Sequence, residues 1–302
     1  MHNRNTLPVG SKLDKYLITG VLGVGGFGVT YKAKDEAGTR VAIKEYLPAE
    51  LSYRDQKSES VRPRSKSDFD DFMWGLRRFK DEAFSLVRFE HPSIVKVQRY
   101  FETNNTAYIV MPFYPGKPLA FYIKQGVLFN PEEAEFMFDY LMQGLTSVHK
   151  TGMVHRDIKP DNILLLDSGF PLLLDFGAAR QRLGEHSQQM TRVLTPPYAA
   201  YEQYISKSHV GCWTDYYGLS ATFYECITGQ KPLDGMERFV ALHDGDPDPL
   251  VPIPDITPYA HNERFIEILM NGLAVNQEHR PRSYEEWKSR VSRTSKTQYL
   301  KW

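Results

Sequence analysis

The segment 155–162, His-Arg-Asp-Ile-Lys-Pro-Asp-Asn, constrains the fold of this chain more than any other feature of the sequence. Asp157 precedes Lys159 by two residues and Asn162 by five, and a second aspartate, Asp175, begins the triplet Asp-Phe-Gly. An aspartate can accept a proton, a lysine can pair with a phosphate, and Asn or Asp oxygens can bind Mg²⁺. These groups in this order predict a site that transfers the γ-phosphate of ATP to a hydroxyl.

Composition sets the class of protein that can carry such a site. The chain has 302 residues, of which 41% are hydrophobic and 25% charged, as in a globular protein with one large domain or two lobes sharing a cleft. The 37 basic and 37 acidic residues give zero net charge, so no nucleic-acid partner is expected. The basic stretch 288–302 favours a solvated tail over a lipid or nucleic-acid patch.

Cysteine content and hydropathy indicate the cellular compartment in which the chain is expected. The two cysteines, Cys212 and Cys226, form neither a disulfide framework nor a metal motif, and both are expected to pack as small hydrophobic residues. This usage fits a reducing compartment, and we expect a cytoplasmic location. No run of residues approaches the roughly 18 apolar positions that cross a bilayer, so no membrane segment is expected in this chain. The oligomeric state is left unknown.

The first third of the chain has the pattern of strands and turns. Segments 16–22, 29–33 and 40–45 predict strands, and 35–38 predicts a hairpin turn. The polar stretch between 45 and 68 predicts a loop. Apolar residues at helical spacing then follow, before two more predicted strands at 94–100 and 106–111. The apolar positions of this predicted helix are Phe72, Leu76, Phe79, Ala83 and Leu86.

The remainder of the chain has a helical pattern. Asn130-Pro131 followed by Glu133 is a helix start, and further helices are predicted over 210–228 and 264–273. The sequence therefore predicts an α+β fold with two lobes, a small β-rich N-lobe and a larger α-helical C-lobe, with the ATP cleft between them. The predicted division is an N-terminal extension (1–15), the N-lobe (16–111), a hinge (112–118), the C-lobe (119–290) and the basic C-terminal tail (291–302).

A glycine-rich turn lies at 23–28, with glycines at Gly23, Gly25, Gly26 and Gly28. A GxGxxG pattern alone is weak, because dinucleotide-binding folds also use it. There a helix follows the glycines, whereas Val29 here continues as a strand, which favours a hairpin over phosphates. Glycines suit this role because their backbone can approach phosphates closely.

Lys44 ends the strand Val-Ala-Ile-Lys, 21 residues after the first glycine. A lysine at the end of a strand is usually solvated, but in this context it predicts a ligand for the α- and β-phosphates. Its expected partner is Glu82, at the edge of the apolar face of the predicted helix. Asp81 and Glu90 are poorer candidates because they lie farther round that helix.

From about Tyr16 to Arg290 the sequence resembles the superfamily of eukaryotic-type protein kinases. Gly-Gly-Phe-Gly-Val-Thr-Tyr, Ile-Lys-Glu-Tyr-Leu-Pro and Gly-Leu-Arg-Arg-Phe are similar to a bacterial subgroup, and Lys-Pro after Asp157 resembles its serine/threonine branch. The resemblance implies ATP, Mg²⁺ (Mn²⁺ being possible) and protein substrates with Ser or Thr hydroxyls. It implies that Asp157 accepts the hydroxyl proton, Lys159 pairs with the γ-phosphate, and Asn162 and Asp175 hold the metal.

The resemblance also implies an adenine pocket. Met111 would be the gatekeeper and 112–114 the hinge, where Pro112 offers its carbonyl and Tyr114 its N–H. The adenine ring would lie between side chains from the two lobes. These side chains are Val29, Ala42 and Leu164.

Regulation by phosphorylation of the activation loop is implied by Arg156, which directly precedes the catalytic aspartate and can bind a phosphate. The expected site is Thr191, eleven residues before Glu202, and Ser187 is the alternative. Thr195 is expected to contact Asp157 and Lys159 and to shape the substrate site.

Other positions implied by the resemblance are structural. Glu202 and Arg280 are expected to form a buried ion pair, and Asp215 to cap the catalytic loop. Two departures occur nearby, because Tyr201 stands where the family has proline and Leu194 where glycine is common.

Glu82 follows Lys44 by 38 positions, a longer separation than the family usually has. The intervening insert is expected either to shape substrate access, to hold the helix that bears Glu82, or to be a passive loop. Two alternative functions remain: a pseudokinase or scaffold that binds nucleotide or partners without transfer, and a kinase of small molecules.

Overall fold

The computed structural model describes residues 5–176, 195–205, 209–260 and 262–291. These residues form two compact units. The first contains the described residues up to Gly116 together with Phe176, and the second contains 117–175 and the described residues from 195 onward. Within this part of the chain, every helix is too short or too polar to cross a membrane.

The first unit is built on a six-stranded antiparallel sheet in the order β1-β2-β3-β4-β8-β7. Its strands are Lys12–Leu13 (β1), Tyr16–Gly25 (β2), Gly28–Lys34 (β3), Arg40–Tyr46 (β4), Arg99–Thr103 (β7) and Thr106–Pro112 (β8). Side chains alternate between the two faces of each strand. One face carries the buried cluster that includes Tyr31, Ile43 and Val110.

Residues that the sequence assigned to an N-terminal extension belong to this core. Leu7 and Leu13 are 2% and 3% exposed and pack in the same cluster, and Leu13 pairs with Tyr16 in the sheet. The Leu7 N–H also donates to the Tyr31 hydroxyl over 3.1 Å. The segment therefore covers one face of the sheet.

The loop predicted between 45 and 68 is wrong in part. Ser52–Arg54 (β5) and Val61–Pro63 (β6) form an antiparallel hairpin. The polar composition concealed it because Ser52 and Arg54 are the buried positions of β5, at 0% and 4% exposure. Their polar groups are satisfied by hydrogen bonds, which a pattern of apolar residues cannot reveal.

The helix predicted after this insert is confirmed as Asp68–Leu86 (α1). Its buried residues include Phe72, Phe79 and Ala83 of the predicted stripe, and also Glu82. Gly75 faces Tyr46 so closely that a Cβ there would lie 2.0 Å from the tyrosine hydroxyl. Glycine at this position therefore lets β4 and α1 pack together.

The predicted strand at 94–100 is wrong over 94–98, since β7 begins at Arg99. Val95 and Val97 are buried but lie outside any strand, and Ile94 forms only an isolated bridge. A short apolar run indicates burial, and it does not distinguish a strand from packed irregular chain.

The second unit is mainly helical. Its helices are Leu119–Lys124 (α2), Pro131–His149 (α3), Cys212–Thr228 (α4), Gly235–His243 (α5), Glu263–Gly272 (α6) and Tyr284–Val291 (α7). The predicted start of α3 is confirmed: Asn130 and Glu133 form a capping box, with Pro131 in the first turn. The expectation that both cysteines are packed is met: Cys226 is buried and Cys212 is partly buried, and both are free thiols.

A small sheet of three strands, in the order β11-β10-β9, lies mainly in the second unit. Its strands are Gly116–Pro118 (β9), Ile163–Leu166 (β10) and Pro171–Leu173 (β11). A single turn of 3-10 helix at Pro160–Asn162 leads directly into β10. This connection places Asn162 beside Asp157, because the turn folds the chain back on itself.

Candidate active site

Lys44 lies on β4 and Glu82 on α1. The Lys44 Nζ is 3.5 Å from the Glu82 Oε1, and the two side chains are 18% and 2% exposed. The ammonium also lies 5.7 Å from the centre of the Phe79 ring. The expected ion pair is therefore present, and burial of Glu82 gives it a fixed position on the helix.

The four glycines of the turn differ in what surrounds them. A Cβ at Gly28 would lie 2.0 Å from the Glu45 carbonyl oxygen, so the close approach of β3 and β4 requires glycine there. At Gly23 and Gly26 a Cβ would meet nothing within 4 Å. The chain itself leaves open space at these two positions, which is what a turn covering a phosphate needs.

The predicted adenine-pocket residues of the first unit lie on neighbouring strands. Val29 is on β3, and Ala42 on β4 pairs with Met111 on β8. All three are buried, at 1%, 9% and 8% exposure. Pro112 ends β8 opposite Val41.

Two further residues of the predicted adenine pocket lie outside these strands. Burial raises the pKa of Tyr114, which follows β8. Leu164 lies on β10 of the second unit and is partly buried.

In the second unit, Asp157 is the centre of a cluster of short polar contacts. The Lys159 ammonium donates to the Asp157 Oδ1 over 3.0 Å, and the Asn162 amide donates to the Asp157 Oδ2 over 2.8 Å. The same ammonium donates to the Thr195 hydroxyl over 2.8 Å. Lys159 therefore joins Thr195 to Asp157, and these four polar side chains converge.

The loop that carries Asp157 is held by Asp215 of α4. The Asp215 carboxylate accepts from the backbone N–H of His155 over 2.8 Å and from that of Arg156 over 2.7 Å. Arg156 has a φ of 68°, a conformation that an arginine rarely adopts unless its surroundings impose it. The expected capping role of Asp215 is confirmed by these contacts.

His149, at the end of α3, is a residue that the sequence did not single out. Its Nε2 lies 2.7 Å from the Asp215 Oδ2. No short-range pattern signals this contact, because the two residues are 66 positions apart. Burial favours a higher pKa for Asp215, but the hydrogen bonds from His149 and from the Arg156 N–H bring it below its usual range.

His155 has partners that suit only its neutral form. Its Nε2 lies 2.8 Å from the Leu174 carbonyl, to which it donates, and its Nδ1 accepts from the Asp157 N–H over 3.3 Å. A protonated Nδ1 would face another donor. Complete burial lowers the pKa of His155 below its ordinary value of 6.5.

This lowered pKa predicts a loss of stability in acid. Between pH 6.5 and the lower pKa of folded His155, the unfolded chain binds a proton that the folded chain does not. The free energy of unfolding should therefore fall below pH 6.5, with His155 contributing at most about 1.4 kcal/mol per pH unit. Urea titrations between pH 5 and 7.5 should give a shallower slope for His155→Gln. The exposed His243→Gln is the matched control, and equal slopes in the wild type and His155→Gln would contradict the assignment.

Glu202 and Arg280 form the expected buried ion pair. Both side chains are 0% exposed, and the guanidinium donates to both carboxylate oxygens, over 2.7 and 3.2 Å. The Thr214 hydroxyl also donates to Glu202 over 2.9 Å. The carboxylate is thus fully paired, which confirms the prediction.

Tyr201, which takes the place of the family's proline, packs against a neighbouring helix. Its ring stacks on Phe239 of α5, with centres 4.6 Å apart and planes 6° apart. Gln203, two residues on, donates its amide to the Arg156 carbonyl over 2.9 Å. The segment is therefore tied both to α5 and to the loop that carries Asp157.

The residues present fit a nucleotide with a divalent metal. Asp175 and Asn162 bring oxygen atoms of the kind that Mg²⁺ and Mn²⁺ prefer. Across the described residues, His, Cys, Asp and Glu side chains form no group of three or more that can bind a metal alone. A Mg²⁺ ion held by only one or two carboxylates usually takes its other ligands from water and substrate phosphates.

The proposed phosphorylation sites Thr191 and Ser187 lie outside the described residues, as do Leu194 and the basic tail beyond 291. The predictions for these positions remain predictions.

Comparison with known proteins identifies the family of this chain. The family model described as "Protein kinase domain" matches residues 16–289. The chain belongs to the protein kinase family, and the resemblance predicted from its motifs is confirmed.

The curated relatives of this chain include bacterial serine/threonine-protein kinases. The chain is 33% identical over 245 residues to serine/threonine-protein kinase PknD of Mycobacterium tuberculosis, which covers 80% of this chain and 34% of that protein. It is 30% identical over 297 residues to serine/threonine-protein kinase PkaA of Streptomyces coelicolor, covering 89% of this chain and 52% of that protein. The chain thus spans between about a third and about half of the length of these relatives.

A solved structure described as "PpkA-294 apo form" has a TM-score of 0.85 and 32% identity, and it covers 95% of this chain and 100% of that one. The fold is therefore that of a protein kinase. This confirms the predicted α+β fold with a β-rich part and a helical part.

Proposed function

We propose that this chain transfers the γ-phosphate of ATP to serine or threonine hydroxyls of proteins. The observation that carries the proposal is the convergence of Asp157, Lys159, Asn162 and Thr195 in the second unit. It supplies a proton acceptor and a cation within hydrogen-bonding distance of each other. The bacterial serine/threonine kinases among its relatives support the same activity.

The chemistry assigned to the residues of the second unit is positioning and proton transfer. Asp157 accepts the proton of the acceptor hydroxyl and directs that oxygen at the γ-phosphate. Lys159 neutralises charge on the transferred phosphoryl group and keeps the Asp157 carboxylate oriented. Thr195 fixes the ammonium of Lys159.

In the first unit, Lys44 pairs with the α- and β-phosphates and Glu82 holds it in place. The turn with Gly23, Gly25 and Gly26 covers the phosphates, and Gly28 closes the strand pair behind it. Met111, Pro112 and Tyr114 bind the adenine, with Val29, Ala42 and Leu164 packing on the ring.

We assign Mg²⁺ to Asn162 and Asp175, with Mn²⁺ as a possible replacement. A bound divalent ion neutralises phosphate charge and aligns the triphosphate. The zero net charge and the two unpaired cysteines support a cytoplasmic location with protein substrates.

The experiment that tests the proposal is incubation of the purified chain with γ-labelled ATP, Mg²⁺ and a panel of protein and small-molecule acceptors. Label on Ser or Thr of the wild type, and none with Asp157→Ala or Lys44→Ala, is the expected result. Label on a small molecule alone would show that the acceptor is a small molecule and not a protein. Nucleotide binding without any label would support a binding module.

Thr191 is the proposed site of autophosphorylation. A phosphate there can order its segment by pairing with Arg156. Thr191→Ala should lose most phosphate incorporation into the chain and lower the transfer rate, whereas Ser187→Ala should change both less. Mass spectrometry of the phosphorylated chain and acceptor assays measure the two effects. Full incorporation and full activity in Thr191→Ala would disprove the assignment.

A further inference from the structure

Three consecutive residues at the end of β4 contact two different parts of the first unit. Lys44 pairs with Glu82 on α1. Tyr46 points to the same side, packs on Phe72 and Phe79, and donates its hydroxyl to the Phe72 carbonyl over 3.2 Å. The residue between them, Glu45, points to the opposite face of the strand, as side-chain alternation requires.

Glu45 is a buried carboxylate, 0% exposed at the back of the sheet. It accepts hydrogen bonds from the Tyr31 hydroxyl over 2.8 Å and from the hydroxyl of Tyr108 on the neighbouring strand. Its remaining partner is the guanidinium of Arg54. A buried charge is tolerated when it is paired and hydrogen-bonded in this way.

Arg54 belongs to the hairpin of the insert, and all three nitrogens of its guanidinium are used. The Nη2 donates to Glu45, the Nε to the Asn5 carbonyl over 2.9 Å, and the Nη1 to the Glu59 carbonyl over 2.6 Å. The Arg54 residue is only 4% exposed. The N-terminal segment and the insert therefore converge on one side chain, which reaches the back of β4.

The beginning of the insert also contacts the glycine-rich turn. The Leu47 N–H donates to the Phe27 carbonyl over 3.1 Å, and the Ala49 N–H donates to the Gly26 carbonyl over 2.8 Å. The insert thus touches both elements of the first unit that are assigned to the phosphates. A passive surface loop would leave such backbone and side-chain groups to the solvent.

We propose that Arg54 is a positioning residue for ATP binding, which acts through Glu45 on the neighbouring Lys44. The ion pair behind β4 fixes the end of the strand, so that the Lys44 ammonium stays at Glu82 and within reach of the phosphates. This inference rests on the proposed function, because it concerns the site that binds ATP.

The physical reason is that the Lys44 and Glu45 side chains are attached to adjacent residues of one strand. Lys44 and Glu45 share a peptide bond, so any shift or twist of the strand that relieves an unpaired Glu45 also moves Lys44. Without Arg54, the buried Glu45 charge loses its partner and draws in water or moves toward it. A displacement on the order of 1 Å at a phosphate ligand is enough to lower affinity and rate strongly.

The test compares Arg54→Met with Arg62→Met in the full chain. Arg62 lies in the same hairpin and pairs with Asp55 over 3.4 Å, but its side chain is 53% exposed, so its pair is weak. Steady-state transfer to a protein acceptor gives the KM for ATP, the KM for the acceptor and kcat. Calorimetry with MgATP gives the Kd directly.

Arg54→Met should raise the KM and Kd for ATP by about tenfold, with an unchanged KM for the acceptor, and Arg62→Met should match the wild type. Arg54→Lys, which keeps the charge but cannot make all three hydrogen bonds, should lie between them. It also serves if Arg54→Met does not fold.

A purely structural role for Arg54 predicts a different result. Loss of folded protein lowers the active fraction and hence kcat, while both KM values stay at the wild-type level. That outcome, or equal KM values for ATP in the Arg54 and Arg62 variants, would overturn the inference. Absence of transfer by the wild type would instead contradict the proposed function, and the Kd values for MgATP would still test Arg54.

Discussion

Replacing Asp157 with asparagine is expected to lower the rate of phosphate transfer on the order of 10³-fold. The amide cannot accept the proton of the acceptor hydroxyl, although it has nearly the same shape as the carboxylate. It can keep only one of the two hydrogen bonds that Lys159 and Asn162 donate to the Asp157 oxygens, because its amide nitrogen does not accept. Because Asp157 is assigned to the acceptor and not to the nucleotide, the Kd for ATP should stay within about twofold.

Single-turnover transfer from γ-labelled ATP and calorimetry with MgATP measure these two quantities. The matched control is Asp167→Asn, an exposed carboxylate in the turn between β10 and β11 of the same unit, which should behave as the wild type. Asp175→Asn should instead lose Mg²⁺-dependent ATP binding, because Asp175 is assigned to the metal. Equal loss of ATP affinity in the Asp157 and Asp175 variants would contradict the assigned roles.

Replacing Arg280 with methionine is expected to lower the free energy of unfolding by about 3–5 kcal/mol. The change leaves the buried Glu202 carboxylate without its bidentate partner, while the Thr214 hydroxyl continues to donate to it. It also removes the donations of Arg280 to the carbonyls of Ala274 and Val275, over 2.7 and 2.8 Å. Urea denaturation followed by tryptophan fluorescence measures the loss.

Arg282→Met is the matched control for this experiment. Arg282 is exposed and lies 4.3 Å from the centre of the Trp213 ring, a contact whose loss should cost about 0.5–1 kcal/mol. If Arg280→Met does not express, Arg280→Lys should still be destabilised, since lysine cannot make the bidentate pair. A loss for Arg280→Met no larger than that for Arg282→Met would show that the buried pair contributes nothing.

Much of the candidate site was predictable because its residues lie close together in the sequence. Asp157, Lys159 and Asn162 span six positions, and a single 3-10 turn is enough to bring them together. The separation of Lys44 from Glu82 is longer, but the apolar stripe of α1 fixes which of its acidic residues lies near the buried face. Family resemblance supplied the Glu202–Arg280 pair, for which no local pattern exists.

The errors in the predicted fold have one physical cause. Hydrophobic periodicity detects side chains that are buried because they are apolar. β5 is buried through Ser52, which donates to the nearby Pro48 carbonyl, and Arg54, which donates to the distant Asn5 carbonyl, and it was therefore assigned to a loop. Conversely, Val95 and Val97 are apolar and buried outside any strand, and they were assigned to a strand.

The sequence by itself determined the family of this protein and its α+β fold, and it gave the residues that we propose as catalytic, because each depends on residue types at short, fixed spacings. Only the tertiary structure decided that His149 supports Asp215, that Tyr201 stacks on Phe239, and that Arg54 pairs with Glu45 behind Lys44. These contacts join residues from separate elements. Which charged or aromatic side chains meet depends on how the helices and strands pack, and no spacing along the chain records that.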